Sequence, residues 1–218
     1  MPATLLTLPR ELRDEIYTYV ALSSSFTFLL ASRQLHEEGT PHLYKHGTYR
    51  LRAMTLRQEH LPTPPLPPPP ISISQIQNLH ISMPPIYFGD HKGPNYEISR
   101  RTALQLRQFS GTDIRRRMCH FDLQDWTLSK GMARVLCGFG GFDVVRVEVR
   151  LKPYGSDPDG RIRPYDSDRE DEQREECVQL IEERLGPALG NAKWEGKDSG
   201  TCFEQVLIAV FWPRESGK

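Results

Sequence analysis

The chain has 218 residues, 38% of them apolar and 26% charged, with 28 basic and 28 acidic side chains. That length accommodates one domain of ordinary size with a smaller module attached, and the composition lies outside the low-hydropathy, high-charge corner where chains stay disordered. The balanced charge sets up no global field to draw the protein to nucleic acid or an anionic membrane. The longest wholly apolar run, residues 206–212, is far below the ~20 residues that cross a bilayer.

The opening Met1-Pro2-Ala3-Thr4-Leu5-Leu6 lacks the basic start of a secretory signal. Leu8, Leu12, Ile16, Tyr19 and Val20 then recur at helical spacing, with Arg10, Glu11, Arg13 and Asp14 on the other side. This predicts an amphipathic helix with its apolar stripe toward a core, starting at Pro9 because proline suits only the first turn. Ser23, Ser24 and Ser25 end that pattern and can cap a second helix carrying Phe26, Leu29, Leu30 and Leu35. Thr40-Pro41 reads as a cap and first position of a further short turn with Leu43 and Tyr44, and Tyr49 and Leu51 alternate as in a brief strand.

Residues 61–70 hold seven prolines, so a stiff polyproline II spacer is expected there, separating a helical module (1–60) from an α/β domain (71–218). Beyond it the apolar period changes. Ile76, Leu79 and Ile81 suggest a strand; Ile98, Thr102, Leu106 and Phe109 a helix; Cys119, Phe121 and Leu123 a strand; Met132, Val135, Leu136 and Phe139 a helix stopped by Gly140-Gly141. Val145, Val147, Val149 and Leu151 alternate with Arg146, Glu148 and Arg150, which predicts a strand with one wet face. A polar loop with a turn at Asp157-Pro158-Asp159-Gly160 leads to the capping-box pattern Ser167-x-x-Glu170 and a helix with core residues Val178, Ile181 and Leu185, ended by Gly186-Pro187. Residues 206–212 read as a central strand covered on both sides. The expected fold is therefore α+β or α/β: an N-terminal helical module, then alternating strands and helices forming one mixed sheet packed by helices.

No complete catalytic, cofactor or metal pattern is legible. Gly138-Phe139-Gly140-Gly141 follows a helix and precedes a strand, the reverse of a dinucleotide loop. His36, His42 and His46 lack supporting ligands, and four widely spaced cysteines, Cys119, Cys137, Cys177 and Cys202, form no Cys-x-x-Cys pair. The cysteines are expected as small buried residues of a reducing compartment, cytosol or nucleus. Arg100, Arg101, Arg107, Arg115, Arg116 and Arg117 make residues 100–117 locally basic, but no aromatic stacking motif accompanies them, so nucleic-acid binding is not expected. A pocket joining His80, His91 or His120 to an acidic partner and a nucleophile would be needed for an enzyme; the expectation is a binding protein without a cofactor.

Leu8-Pro9-x-Glu11-Leu12-x-x-x-Ile16-x-x-Tyr19-Val20, followed by Leu29-Leu30-Ala31-Ser32-Arg33-Gln34-Leu35, resembles an F-box. The continuation His36-Glu37-Glu38 with Leu43-Tyr44 and Thr48-Tyr49-Arg50-Leu51 is similar to a group of filamentous-fungal F-box-like proteins, over residues 5–52. The resemblance implies docking on the small adaptor subunit of a cullin-RING ubiquitin ligase through Leu8, Pro9, Leu12, Ile16, Leu30 and Arg33, while the rest of the chain captures a target protein. Docking requires the apolar members of that set to stay exposed, whereas a helical cap on the C-terminal sheet would bury them; in that alternative the chain is a stand-alone interaction protein with structural N-terminal helices.

Overall fold

Pro9 has no N–H to give, and it takes the N-cap position of α1 (Arg10–Leu22), entered from a short 3-10 turn at Leu5–Thr7. In this computed structural model the described residues are 5–23, 27–53, 73–83, 99–111, 113–123, 130–151, 167–198 and 205–213. The expected spacer at 61–70, the loop at 154–166, His91, Ile98, Cys202 and Ser24 to Phe26 lie outside them. The second apolar segment is not one helix: Thr27–Leu30 forms a 3-10 turn, and α2 (Arg33–His46) starts after Ser32, whose Oγ accepts from the Leu35 N–H at 3.2 Å. Nor does Thr40-Pro41 open a new turn. Pro41 lies inside α2, and the Thr40 hydroxyl donates to the His36 carbonyl instead.

A larger correction concerns which side of α1 is inside. The buried residues are Tyr17 and Ala21, on the side of the supposedly wet Arg13, and together with Leu29 and Leu35 they face α2. Gly39 permits this approach, since a Cβ there would overlap the Leu29 side chain and touch Tyr17. The small cluster of Tyr17, Leu29 and Leu35, with Leu5 and Leu43 against it, is separate from the main core.

That main core belongs to a six-stranded mixed sheet of order β1-β2-β3-β4-β6-β5. Its strands are β1 (Thr48–Arg52), β2 (Asn78–Met83), β3 (Arg116–Leu123), β4 (Phe142–Leu151), β5 (Lys193–Asp198) and β6 (Gln205–Phe211). The first four run parallel, and β6 is antiparallel to both β4 and β5. Strand β1 follows α2 after Gly47 alone, and the Asn78 amide reaches the carbonyls of Lys45, His46 and Gly47 at 3.3 to 3.4 Å, tying the end of α2 to β2. The strand expected at Tyr49 and Leu51 is thus an edge of the sheet, although it falls within residues 1–60.

Three helices, α3 (Arg100–Arg107), α4 (Lys130–Cys137) and α5 (Ser167–Leu189), bury Leu106, Met132, Leu136, Ile181 and Leu185 in one cluster with Leu79, Ile81, Phe121, Val145 and Val147. Side chains alternate across a strand, so this single cluster places the three helices on one face. Ile208 and Val210, also buried, stand on the other. Helix α5 passes through Pro187, where its end was expected, and runs to Leu189; Gly190, with φ of 87° and its N–H on the Gly186 carbonyl at 2.8 Å, forms the stop. Cys119 and Cys177 are fully buried, and burial raises both thiols, Cys177 to about 12. No helix among the described residues is long and apolar enough to cross a membrane.

Candidate functional site

The polar contacts between α1 and α2 explain how α1 comes to turn its apolar stripe outward. Arg13 forks onto Glu38, Nε to Oε2 at 2.9 Å and Nη2 to Oε1 at 3.0 Å, while its Nη1 donates to the Leu8 carbonyl at 2.7 Å. Glu38 also accepts from the Tyr17 hydroxyl at 2.9 Å and from Gln34 Nε2 at 3.0 Å. The Arg13 hydrogen bonds, with those of Gln34 and Tyr17, hold the Glu38 carboxyl down at about 2. Nearby, His42 places Nδ1 3.0 Å from Thr18 Oγ1 and Nε2 3.3 Å from Asp14 Oδ1. Arg13, Asp14, Tyr17 and Thr18 thus lie on the side of α1 facing α2, so polar contacts border the apolar cluster of Tyr17, Leu29 and Leu35 in the helix pair.

The other side of α1 is the more exposed one. Leu12 is 47% exposed, Tyr19 75% and Leu22 66%, and Leu30 on the following 3-10 turn is 81% exposed. Of the sequence-predicted docking residues, Pro9, Leu12, Leu30 and Arg33 are exposed, and Leu8 and Ile16 are half-buried. Arg33 makes an ion pair within its own helix, Nε to Glu37 Oε1 at 2.7 Å. Leu12, Ile16 and Tyr19 share one line of α1, four and three residues apart. Leu6 and Leu22, also exposed, were not singled out from sequence; both are apolar neighbours of the stripe, and that was the available signal.

A second site stands on the sheet face away from the helices. Register aligns Arg50, His80, His120 and Arg146 in one row and Arg52, Ser82, Asp122 and Glu148 in the next. The His80 and His120 rings lie 4.8 Å apart, His120 Nε2 is 3.2 Å from Glu148 Oε2, and Arg150 reaches Asp122 at 3.3 Å and Glu148 at 3.4 Å. Burial lowers the pKa of both histidines; mutual repulsion adds to it for His120. The single-residue alternation of β2, β3 and β4 put each of these groups on one face, but their meeting depended on strand order, which the sequence does not carry. Among the described residues, no cluster of three or more His, Cys, Asp or Glu side chains is arranged to hold a metal.

The basic segment 100–117 does not form one surface. Arg100, Arg101 and Arg107 lie on α3, Arg115 pairs with Asp143 at 3.0 Å, and Arg117 is exposed at the start of β3. Arg116 is only 1% exposed, its guanidinium 5.7 and 5.5 Å from the Phe109 and Phe142 ring centres and Nη1 3.3 Å from the Phe109 carbonyl. It anchors the end of α3 to the sheet through cation–π contacts and a helix C-terminal carbonyl. Along α5, a groove of about 450 Å³ is bounded by Asp171, Arg174, Glu175, Val178, Glu182 and Glu183. Comparison with protein-family models, with curated proteins and with solved structures finds no match for this chain, so what these surfaces do is argued from their own chemistry.

Proposed function

We propose that this chain is a non-catalytic interaction protein that offers the outer side of α1 and the turn at Leu30 to the small adaptor subunit of a cullin-RING ubiquitin ligase, with residues 71–218 capturing a target protein. One observation carries the reading. The stripe of Leu12, Ile16 and Tyr19, which periodicity alone would assign to a core, faces away from α2, and Leu12, Tyr19 and Leu30 are exposed. Apolar side chains left in water at helical spacing are what a helix-docking interface needs, because the gain of binding is their desolvation. A cap on the sheet would have buried them. The F-box resemblance names the partner, and that partner puts the protein in the cytosol or nucleus.

The test is co-purification of the adaptor with the full-length chain and its Leu12→Asp variant. A carboxylate stranded in an apolar interface costs on the order of several kcal/mol, enough to weaken capture about a hundredfold or more. Leu12→Asp should lose the adaptor while its thermal midpoint stays near wild type, since the side chain already meets water. Failure of the wild-type chain to capture adaptor where an established F-box protein succeeds would overturn the proposal. So would a sharp fall in the midpoint of Leu12→Asp, which would mean that the stripe is covered by the chain itself.

A further inference from the structure

The sheet face away from the helices is uneven in charge. On β3, β4 and β5 its carboxylates each meet a cation of the same half: Asp122 with Arg150 at 3.3 Å, Glu148 with His120 at 3.2 Å, Glu195 with Arg146 at 3.7 Å. On β1 and β2 that face carries no carboxylate. Arg50 is the Cα partner of His80, and Arg52 that of Ser82. With strands about 4.8 Å apart and alternate residues about 6.6 Å apart along a strand, the four side chains make a compact rectangular block. Arg50 and Arg52 are exposed, His80 and Ser82 half-buried, and among the described residues no ion pair engages either arginine.

We propose that Arg50, Arg52, His80 and Ser82 form a binding site for a phosphate group. Two guanidinium forks, an imidazole and a hydroxyl supply more donors than a two-oxygen carboxylate can accept, and arginine forks match phosphate oxygens. The group comes either from a small phosphate-bearing molecule or from a phosphorylated side chain of a captured protein; the chemistry of recognition is the same. His80 faces Arg50 from β1, His120 and Asp122 from β3, and Glu148 and Arg150 from β4. A bound dianion adds the negative charge that its arginine neighbours lack, and so favours the protonated form of His80. The site does not depend on adaptor docking by α1, and each can fail alone.

The experiment titrates the full chain with inorganic phosphate and, separately, with a phosphoserine peptide, at pH 8, where both ligands are dianions, following the His80 ring resonances. Saturable binding is expected with both, weakened about tenfold or more in Arg50→Gln/Arg52→Gln and several-fold in Ser82→Ala. Arg107→Gln, exposed on α3, is the control and should bind as wild type; matching far-UV spectra establish that the variants are folded. A peptide bound about tenfold more tightly than phosphate assigns the group to a protein ligand, and equal affinity assigns it to a small molecule. No saturation below ~20 mM phosphate or peptide at pH 8, or an unchanged titration in the double arginine variant, overturns the proposal.

Discussion

The α1–α2 pair and the sheet distribute polarity in opposite ways. In the sheet layer the inside is apolar, Phe121, Phe139, Val147 and Leu185 among it, and charged rows stand on the outer face. In the helix pair a network of Arg13, Glu38, Tyr17 and Gln34 borders a small cluster of Tyr17, Leu29 and Leu35, while Leu12, Leu22 and Leu30 stand outside. The first arrangement is stabilised by desolvation and is self-sufficient. The second adds hydrogen bonds to a small apolar cluster and leaves Leu12 and Tyr19 exposed. A helical apolar period therefore marks a face that will be buried by something, without saying whether that something belongs to the same chain.

The contrast can be broken most forcefully from the sheet side. Phe121, 1% exposed against Phe139 with ring centres 5.2 Å apart, should cost about 3–5 kcal/mol of stability as Phe121→Ala, read by urea unfolding. A loss below about 1 kcal/mol would mean the layer is not the stable half. A middle-sized effect should come from Gly39→Ala, where the new methyl group overlaps Leu29 at the helix crossing. We expect about 1–3 kcal/mol from overpacking, together with weaker adaptor capture, because the change disturbs the seat of α1 without touching its outer stripe.

The smallest effect is expected from acid. His80 and His120 have pKa values lowered by burial, so their contribution is complete above the unfolded value of about 6.5 and is lost as pH falls through the folded values. Glu38, held at about 2, keeps its contribution above about 4.5 and loses it only as pH falls toward 2. Between pH 7 and pH 5 the urea midpoint should drift down, and His80→Gln should flatten that drift while Glu38→Gln should not. The opposite pattern would place the pH-sensitive half in the helix pair.

Much of the sheet was legible because alternation is a local property. β4 shows it over Val145, Val147, Val149 and Leu151, and β6 is the unbroken apolar run expected of an interior strand. What was missed had local disguises. β5, Lys-Trp-Glu-Gly-Lys-Asp, is an edge strand in which Trp194 packs on the core, so it carries no apolar pattern. Arg116 looked like a surface arginine, but alternation breaks at the start of β3: the N–H groups of Arg117 and Met118 both bond to the Gln77 carbonyl, leaving Arg116 and Cys119 buried three positions apart. On α1 the apolar period was legible and its direction was not. Arg13 read as solvated because it is charged, and only the position of Glu38 across the helix pair, 25 residues along, makes it an interior group.

The seam between α2 and β1 also determines how force would travel through the molecule. Gly47 is the only residue between the helix and the strand, and β1 lies parallel to β2 over Thr48 to Arg52. A pull applied at the helix pair is delivered along the axis of β1, loading its backbone bonds to β2 in shear and sharing the tension among them instead of peeling them one at a time. The Asn78 amide on the carbonyls of Lys45, His46 and Gly47 grips the same corner from β2, so the end of α2 is tied to the second strand as well as to the first.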